Sequence, residues 1–175
     1  MSEKVVIVDY NPGWPALYEE EKASILALIG EYVVGIHHVG STSVPELGAK
    51  PIIDIMIGIP DLAFVDRCVP LLQSLGYEYL GEYGIPGRHY FRKPAVGGIE
   101  HRTHHIHMMQ TNHSQWRRHL QFRDYLRSHP EDAKRYELLK RELAVRFGAD
   151  RDGYTDAKTE FIEDILAKAE AQEAL

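Results

Sequence analysis

Asp54 is the one carboxylate in the run Pro51-Ile-Ile-Asp-Ile-Met-Ile-Gly-Ile59. Five isoleucines make that run read as a central strand buried on both faces. An ionised acid in such a place is costly unless a cation or hydrogen-bond donors meet it. Asp54 is therefore either part of a functional site or a structural acid bonded to backbone donors. Ahead of it, Gly40-Ser41-Thr42-Ser43 follows an apolar run. A glycine and three hydroxyls after a strand can bring backbone N–H groups to a phosphate, with Gly40, Ser41 and Thr42 seating it; a plain turn accounts for the same residues. The spacing is not that of a P-loop. Lys50, just before the strand, adds a cation. His37 and His38 precede the turn, and His38 is the better placed of the two to reach a ligand there.

The stretch Thr103-His-His-Ile-His107 is the second concentration of chemistry. On a strand, Thr103, His105 and His107 share one face and His104 takes the other. A His-x-His pair can bind zinc or a similar metal if a third ligand is near. Asp54 supplies that ligand if the two strands are neighbours. The expected cofactor is a divalent metal (Mg²⁺, Mn²⁺ or Zn²⁺) on Asp54, His105 and His107, which would also be the catalytic residues. A set of imidazoles satisfying one another and nearby acids is the alternative. Two-metal phosphoryl transfer wants several acids on one face, and Met56 stands where the second would be. In Gly87-Arg-His-Tyr-Phe-Arg-Lys93, Arg88, Tyr90 and Arg92 share a face. That face could present two guanidiniums to phosphates, or be a solvated hairpin.

Composition narrows the function classes. The chain has 175 residues, 44% apolar and 26% charged, with a net charge of −6. One soluble domain over 1–175 is expected, and the negative charge argues against bulk nucleic-acid binding. The charge is uneven. Between Arg88 and His107 four cations (Arg88, Arg92, Lys93 and Arg102) face Glu100 alone, whereas Asp156 to Leu175 holds six acids against two lysines. A basic strip on an acidic protein suits a nucleotide or another phosphorylated small molecule; pairing with the acidic C-terminal helix would also explain it. One cysteine, no signal-peptide pattern and no membrane-length apolar run point to a cytoplasmic protein without a membrane partner.

The elements that must position these residues follow from periodicity. Lys4 to Asp9 reads as an edge strand, Pro15 opens a helix to about Ile29, and Tyr32 to Val39 and Pro51 to Ile59 are core strands. Asp61 caps a helix with Leu62, Val65, Val69, Leu72 and Leu75 inward, and Pro70 predicts a kink or break in it. Tyr77 to Tyr83, Arg88 to Lys93 and Arg102 to Gln110 read as strands, the last two joined by a hairpin over Pro94 to Gly98. Ser114 then caps Gln115 to Arg127. Pro130 opens a helix with Tyr136, Leu139, Leu143 and Phe147 inward, ended by Gly148. Asp152-Gly153 is a turn, and Thr155 caps a last helix that frays after Ala169. A strand-rich part (5–110) followed by a helical part (114–170) gives an α+β (α/β-like) fold, a mixed sheet backed by helices.

Several of these motifs, in this order, resemble the GrpB family. They are Gly40-Ser-Thr-Ser-Val-Pro45, Ala49-Lys-Pro-Ile-Ile-Asp54, Gly87 to Lys93, Arg102 to His107, His119 to Arg127 and Tyr154-Thr-Asp-Ala-Lys158, and the likeness runs from about Val5 to Lys168. The resemblance implies a nucleotidyltransferase-like fold with metal-dependent nucleotidyl transfer from a nucleoside triphosphate. Gly40-Ser41 match the phosphate-holding turn and Asp54 the first metal-binding acid. Met56 replaces the second acid, and a histidine of the Thr103 to His107 strand stands where a third would be. Lys50, Arg88, Arg92 and Lys158 are the cations assigned to the phosphates. Competing functions are a non-catalytic nucleotide- or anion-binding module and a metal-dependent phosphohydrolase built on Asp54 and the His105/His107 pair.

Overall fold

The computed structural model describes residues 4–95 and 98–175. The expected hairpin connection falls on Val96 and Gly97, outside the described residues. Five strands form one mixed sheet: β1 (Gly35–Val39), β2 (Ile53–Ile59), β3 (Glu78–Tyr79), β4 (His89–Ala95) and β5 (Gly98–Gln110), in the order β1-β2-β5-β4-β3. β2 runs antiparallel to β1 and parallel to β5, and Asp54 lies opposite His105. The isoleucine run thus sits centrally, and from Ile55 to Ile59 every residue is buried.

Helices α1 (Trp14–Ile29) and α2 (Val65–Ser74) cover one face of the sheet. Their Ile25, Ile29, Cys68 and Leu72 pack on Ile53, Ile55, Ile57, Phe91 and Ile106. The other face meets the helical half: α3 (Ser114–Ser128), α4 (Pro130–Phe147), α5 (Arg151–Ala157) and α6 (Thr159–Glu173). Trp116 and Leu120 of α3 pack there on Val39, Met56 and Met109. The fold is α+β: a strand-rich part with α1 and α2 among its strands, followed by the helical α3 to α6, as the periodicity predicts. Among the described residues no helix is long and apolar enough to cross a membrane.

Several local expectations are corrected. Lys4 to Asp9 forms no strand, only the single bridge Val8 to Ala49. Val5 instead bonds to the Gly148 carbonyl at 3.1 Å and packs against Leu143 and Tyr154, so this run serves the helical half. β1 begins at Gly35, because Gly30 to Tyr32 close a 3₁₀ turn. The strand expected over Tyr77 to Tyr83 shrinks to two residues. Helix α2 continues through Pro70. That proline's missing N–H would have met the Asp66 carbonyl in the first turn, a loss that the burial of Val65, Cys68 and Leu72 outweighs. α3 begins at Ser114, but the cap is His113, whose Nδ1 accepts from Gln115 N–H at 3.1 Å. Asp152-Gly153 and Thr155 lie inside α5, since Asp150 upstream accepts from Gly153 N–H at 3.0 Å and caps the helix first. α6 runs on past Ala169 to Glu173.

Candidate functional site

The parallel pairing of β2 with β5 brings Asp54, His105 and His107 onto one face of the sheet. His107 Nε2 lies 3.3 Å and His105 Nδ1 3.4 Å from the same oxygen, Asp54 Oδ1. The tautomer of His107 is set by its neighbours. A guanidinium can only donate, so Nδ1 of His107 accepts from Arg88 Nη1 at 3.1 Å, and its proton sits on Nε2, directed at Asp54. Burial would raise the Asp54 carboxyl, but the hydrogen bonds from His105 and His107 overcome it and hold Asp54 far below the usual carboxylate range. The half-buried acid stays ionised. Among the described residues His105 Nε2 has no hydrogen-bond partner.

The Gly-Ser turn lies directly against this carboxylate. Gly40 has φ +73, and a Cβ there would stand 2.6 Å from Asp54 Oδ2. Only glycine permits both the backbone conformation and the approach. The hydroxyls after it diverge. Thr42 points inward, donating to the Ile52 carbonyl at 3.1 Å and meeting His38 Nε2 at 2.9 Å, and Ser43 donates back to the Gly40 carbonyl at 2.5 Å. His38 stacks on Tyr18 of α1, and burial lowers its pKa to about 4. Thr42 and His38 are thus parts of the turn's scaffold on the far side of the sheet, not ligand groups. Of the three hydroxyls, Ser41 alone faces the cavities.

Ser41, Asp54 and His105 line a cavity of about 140 Å³, together with Lys50, Lys140, Tyr154 and Lys158. The three lysines arrive from separate segments: the loop before β2, the middle of α4 and the residue after α5. Burial lowers the pKa of Lys140 to about 7, with Lys158 and Lys50 adding repulsion, and burial and Lys50 lower that of Lys158 to about 8. Lys140 donates to the Gly48 carbonyl at 2.5 Å, and Glu137 accepts from Gly48 N–H at 3.1 Å, so α4 also fixes the loop that delivers Lys50. The Tyr154 ring has Lys158 Nζ 4.3 Å and Lys50 Nζ 4.8 Å from its centre. Its hydroxyl is buried and, among the described residues, lacks a hydrogen-bond partner.

The structure therefore assembles Gly40, Ser41, Lys50, Asp54, His105 and Lys158, with His107 adjoining. Arg88 stands behind His107, its Nη2 bonded to the Glu82 and Tyr83 carbonyls, and acts as a strut. Arg92 lies opposite His105 in register, but its side chain reaches across to Glu78 on the edge strand at 2.6 Å, away from the cavity. Lys140 escaped the sequence reading. It comes one helical turn after the inward-facing Tyr136, and a cation four residues after a core aromatic was the available signal.

One carboxylate between two imidazoles, with a guanidinium behind one of them, is not the multi-acid set that two divalent cations need. Among the described residues no group of three or more His, Cys, Asp or Glu side chains is disposed to hold a metal ion.

A mixed sheet whose Gly-Ser turn abuts an aspartate on the next strand, backed by helices, is a nucleotidyltransferase-like fold. Cid1 in complex with its short product ApU has a similar fold, with a TM-score of 0.50 at 13% identity over 77% of this chain and 40% of that one. Within that class the chain belongs to the GrpB family, whose model, described as GrpB protein, matches residues 4–168. The crystal structure of conserved protein GrpB from Enterococcus faecalis is similar with a TM-score of 0.87 and 38% identity, covering 97% of this chain and all of that one. Among curated relatives, YqkA of Bacillus subtilis is 42% identical over 91% of this chain but only 45% of its own length. Glutamate-rich protein GrpB of Alkalihalophilus pseudofirmus is 35% identical over 93% and 94%. A dephospho-CoA kinase of Mycolicibacterium paratuberculosis is 25% identical over 94% of this chain and 46% of that protein.

Proposed function

We propose that this protein binds a nucleotide or another phosphorylated small molecule, with the phosphates in the lysine-lined cavity. The observation that carries this reading is the convergence of Lys50, Lys140 and Lys158 on a space where, among the lining residues, Asp54 is the one carboxylate. Burial first, and then repulsion from the neighbouring lysines, make Lys140 and Lys158 hold their protons weakly. A phosphate dianion would relieve that repulsion and accept charge-assisted hydrogen bonds. Ser41 and the unpartnered Tyr154 hydroxyl would donate to the same oxygens.

Nucleotidyl transfer to a small or protein acceptor is the activity this arrangement would serve. Asp54, kept ionised, orients His105 and His107. His105, lacking a partner on Nε2, would take the proton of an attacking hydroxyl, and the lysines would neutralise the departing pyrophosphate. Asp54 is also the one lining carboxylate at which a divalent ion carried by the phosphates would be held. Such an ion would add charge neutralisation.

Calorimetric titration with nucleoside triphosphates and tripolyphosphate, with and without chelator, tests the binding. Binding that survives chelation and weakens at least about tenfold in Lys140→Met and Lys158→Met is expected, since losing a hydrogen bond to a charged group costs about 1.5–3 kcal/mol. If no phosphate compound binds, the reading fails. Asp54→Asn should retain the binding and abolish pyrophosphate release. A wild-type protein that binds but never releases pyrophosphate with Mg²⁺, Mn²⁺ or Zn²⁺ is the non-catalytic module instead.

A further inference from the structure

A second cavity, of about 270 Å³, opens on the other side of Ser41. Its walls are of a different kind. Phe122 of α3, Tyr136 of α4 and Ile162 of α6 supply apolar and aromatic surface, and His119 and Gln115 of α3 supply polar groups. Arg118, the cation on its wall, is tied to Glu163 by an ion pair. Among the described residues the His119 ring and the Gln115 side-chain amide form no hydrogen bond. The His119 ring, 5.5 Å centre to centre from that of His107, brings two ring nitrogens to this wall, and the Gln115 amide a donor and an acceptor.

The two cavities adjoin. Ser41 lines both, and α4 sends Tyr136 to one and Lys140, a single turn later, to the other. Neither alone matches a small-molecule site of about 300–1,000 Å³, whereas together they reach that range. One cavity is cationic and sized for phosphoryl groups. The other is walled by aromatic and apolar side chains, with an imidazole, an amide and the Glu163-paired Arg118 at its polar edge, which suits a flat ring bearing both donors and acceptors.

Resting on the phosphate-binding reading above, we propose that the cavity of His119, Gln115, Phe122, Tyr136 and Ile162 takes the nucleobase of a nucleotide whose phosphates lie among Lys50, Lys140 and Lys158. His119 and Gln115 read the edge of the base, and Ser41 sits at the junction. The ligand is then a nucleotide rather than an inorganic polyphosphate or a sugar phosphate.

Titration calorimetry on the full chain compares tripolyphosphate with ATP, GTP, CTP and UTP. At least one nucleotide should bind about tenfold or more tightly than tripolyphosphate. Ile162→Trp, which fills the cavity, should erase that margin while leaving tripolyphosphate affinity unchanged. His119→Phe, which keeps the volume but removes the hydrogen bonds, should narrow it and flatten the preference among bases. Circular dichroism melts establish that both variants are folded. If tripolyphosphate binds as well as every nucleotide, or if both variants keep the full margin, the base assignment is wrong while the phosphate site stands. If no phosphate compound binds, both fall together.

Discussion

Lys140 and Lys158 give the site a pH dependence whose sign is fixed by their surroundings. Below pH 7 both carry protons in the free protein and the cavity is at its most positive. As pH rises through about 7 and 8 they release them, so a bound phosphate must draw protons back. Affinity for tripolyphosphate should therefore fall above pH 7, by up to about tenfold per pH unit for each proton taken up. Titrations in buffers of different ionisation enthalpy would detect that uptake; affinity that is flat from pH 6 to 9 rules it out. The same groups act on stability. In the unfolded chain a lysine titrates at its ordinary 10.5, so between about pH 7 and that value the unfolded state binds more protons than the folded one. Folding stability should rise with pH across this window, and the rise should shrink in Lys140→Met. At the residue scale the site was only partly legible. Asp54 stood out because an acid among isoleucines breaks a pattern, and His105 and His107 because alternation puts them on one face. Arg92 misled because strand alternation gives the face but not the direction a long side chain takes, and here Glu78 draws it to the sheet edge.

The turn between β1 and β2 is the element on which the site depends. Gly40 needs positive φ and has no room for a side chain beside Asp54, while Thr42 and Ser43 bond inward and lock the chain as it leaves the turn. Gly40→Ala is expected to cost about 1–3 kcal/mol through strained backbone. It should also push the carboxylate off the histidines, so that pyrophosphate release falls further than the melting temperature alone implies. If Gly40→Ala leaves both melting temperature and pyrophosphate release unchanged, the close approach is not what the turn is for. Elements with strong periodicity were legible: β2 from its isoleucines, α4 from Pro130 and Gly148 at its ends. The failures have physical causes. A six-residue β-branched run at 4–9 says nothing about whether a sheet edge or a helix end will receive it, and here the helical half does. Thr155 satisfies the rule for a helix cap, but Asp150 reaches free N–H groups earlier in the chain.

Taken whole, the molecule is a sheet with unlike faces. α1 and α2 bury the first face in an apolar core. The second meets the helical half and leaves between them the cavity that neither half forms alone. Its cations come from residues 50, 140 and 158, and α4 reaches back to Gly48 through Lys140 and Glu137. No local pattern announces such a convergence, since it exists only once the helices have docked. A phosphate ligand held by all three lysines would cross-link the loop, α4 and α5, and at about 100 times its Kd would add about 2.7 kcal/mol to the opening of any unit that breaks the site. Hydrogen exchange with saturating tripolyphosphate should therefore slow amides of the loop at 47–52, the second half of α4 and α5. The amides of α2, on the far face, should change only to the extent that they exchange through global unfolding. Uniform slowing across both faces would mean that the whole chain opens as one unit. No slowing at α5 would show that Lys158 takes no part in holding the anion.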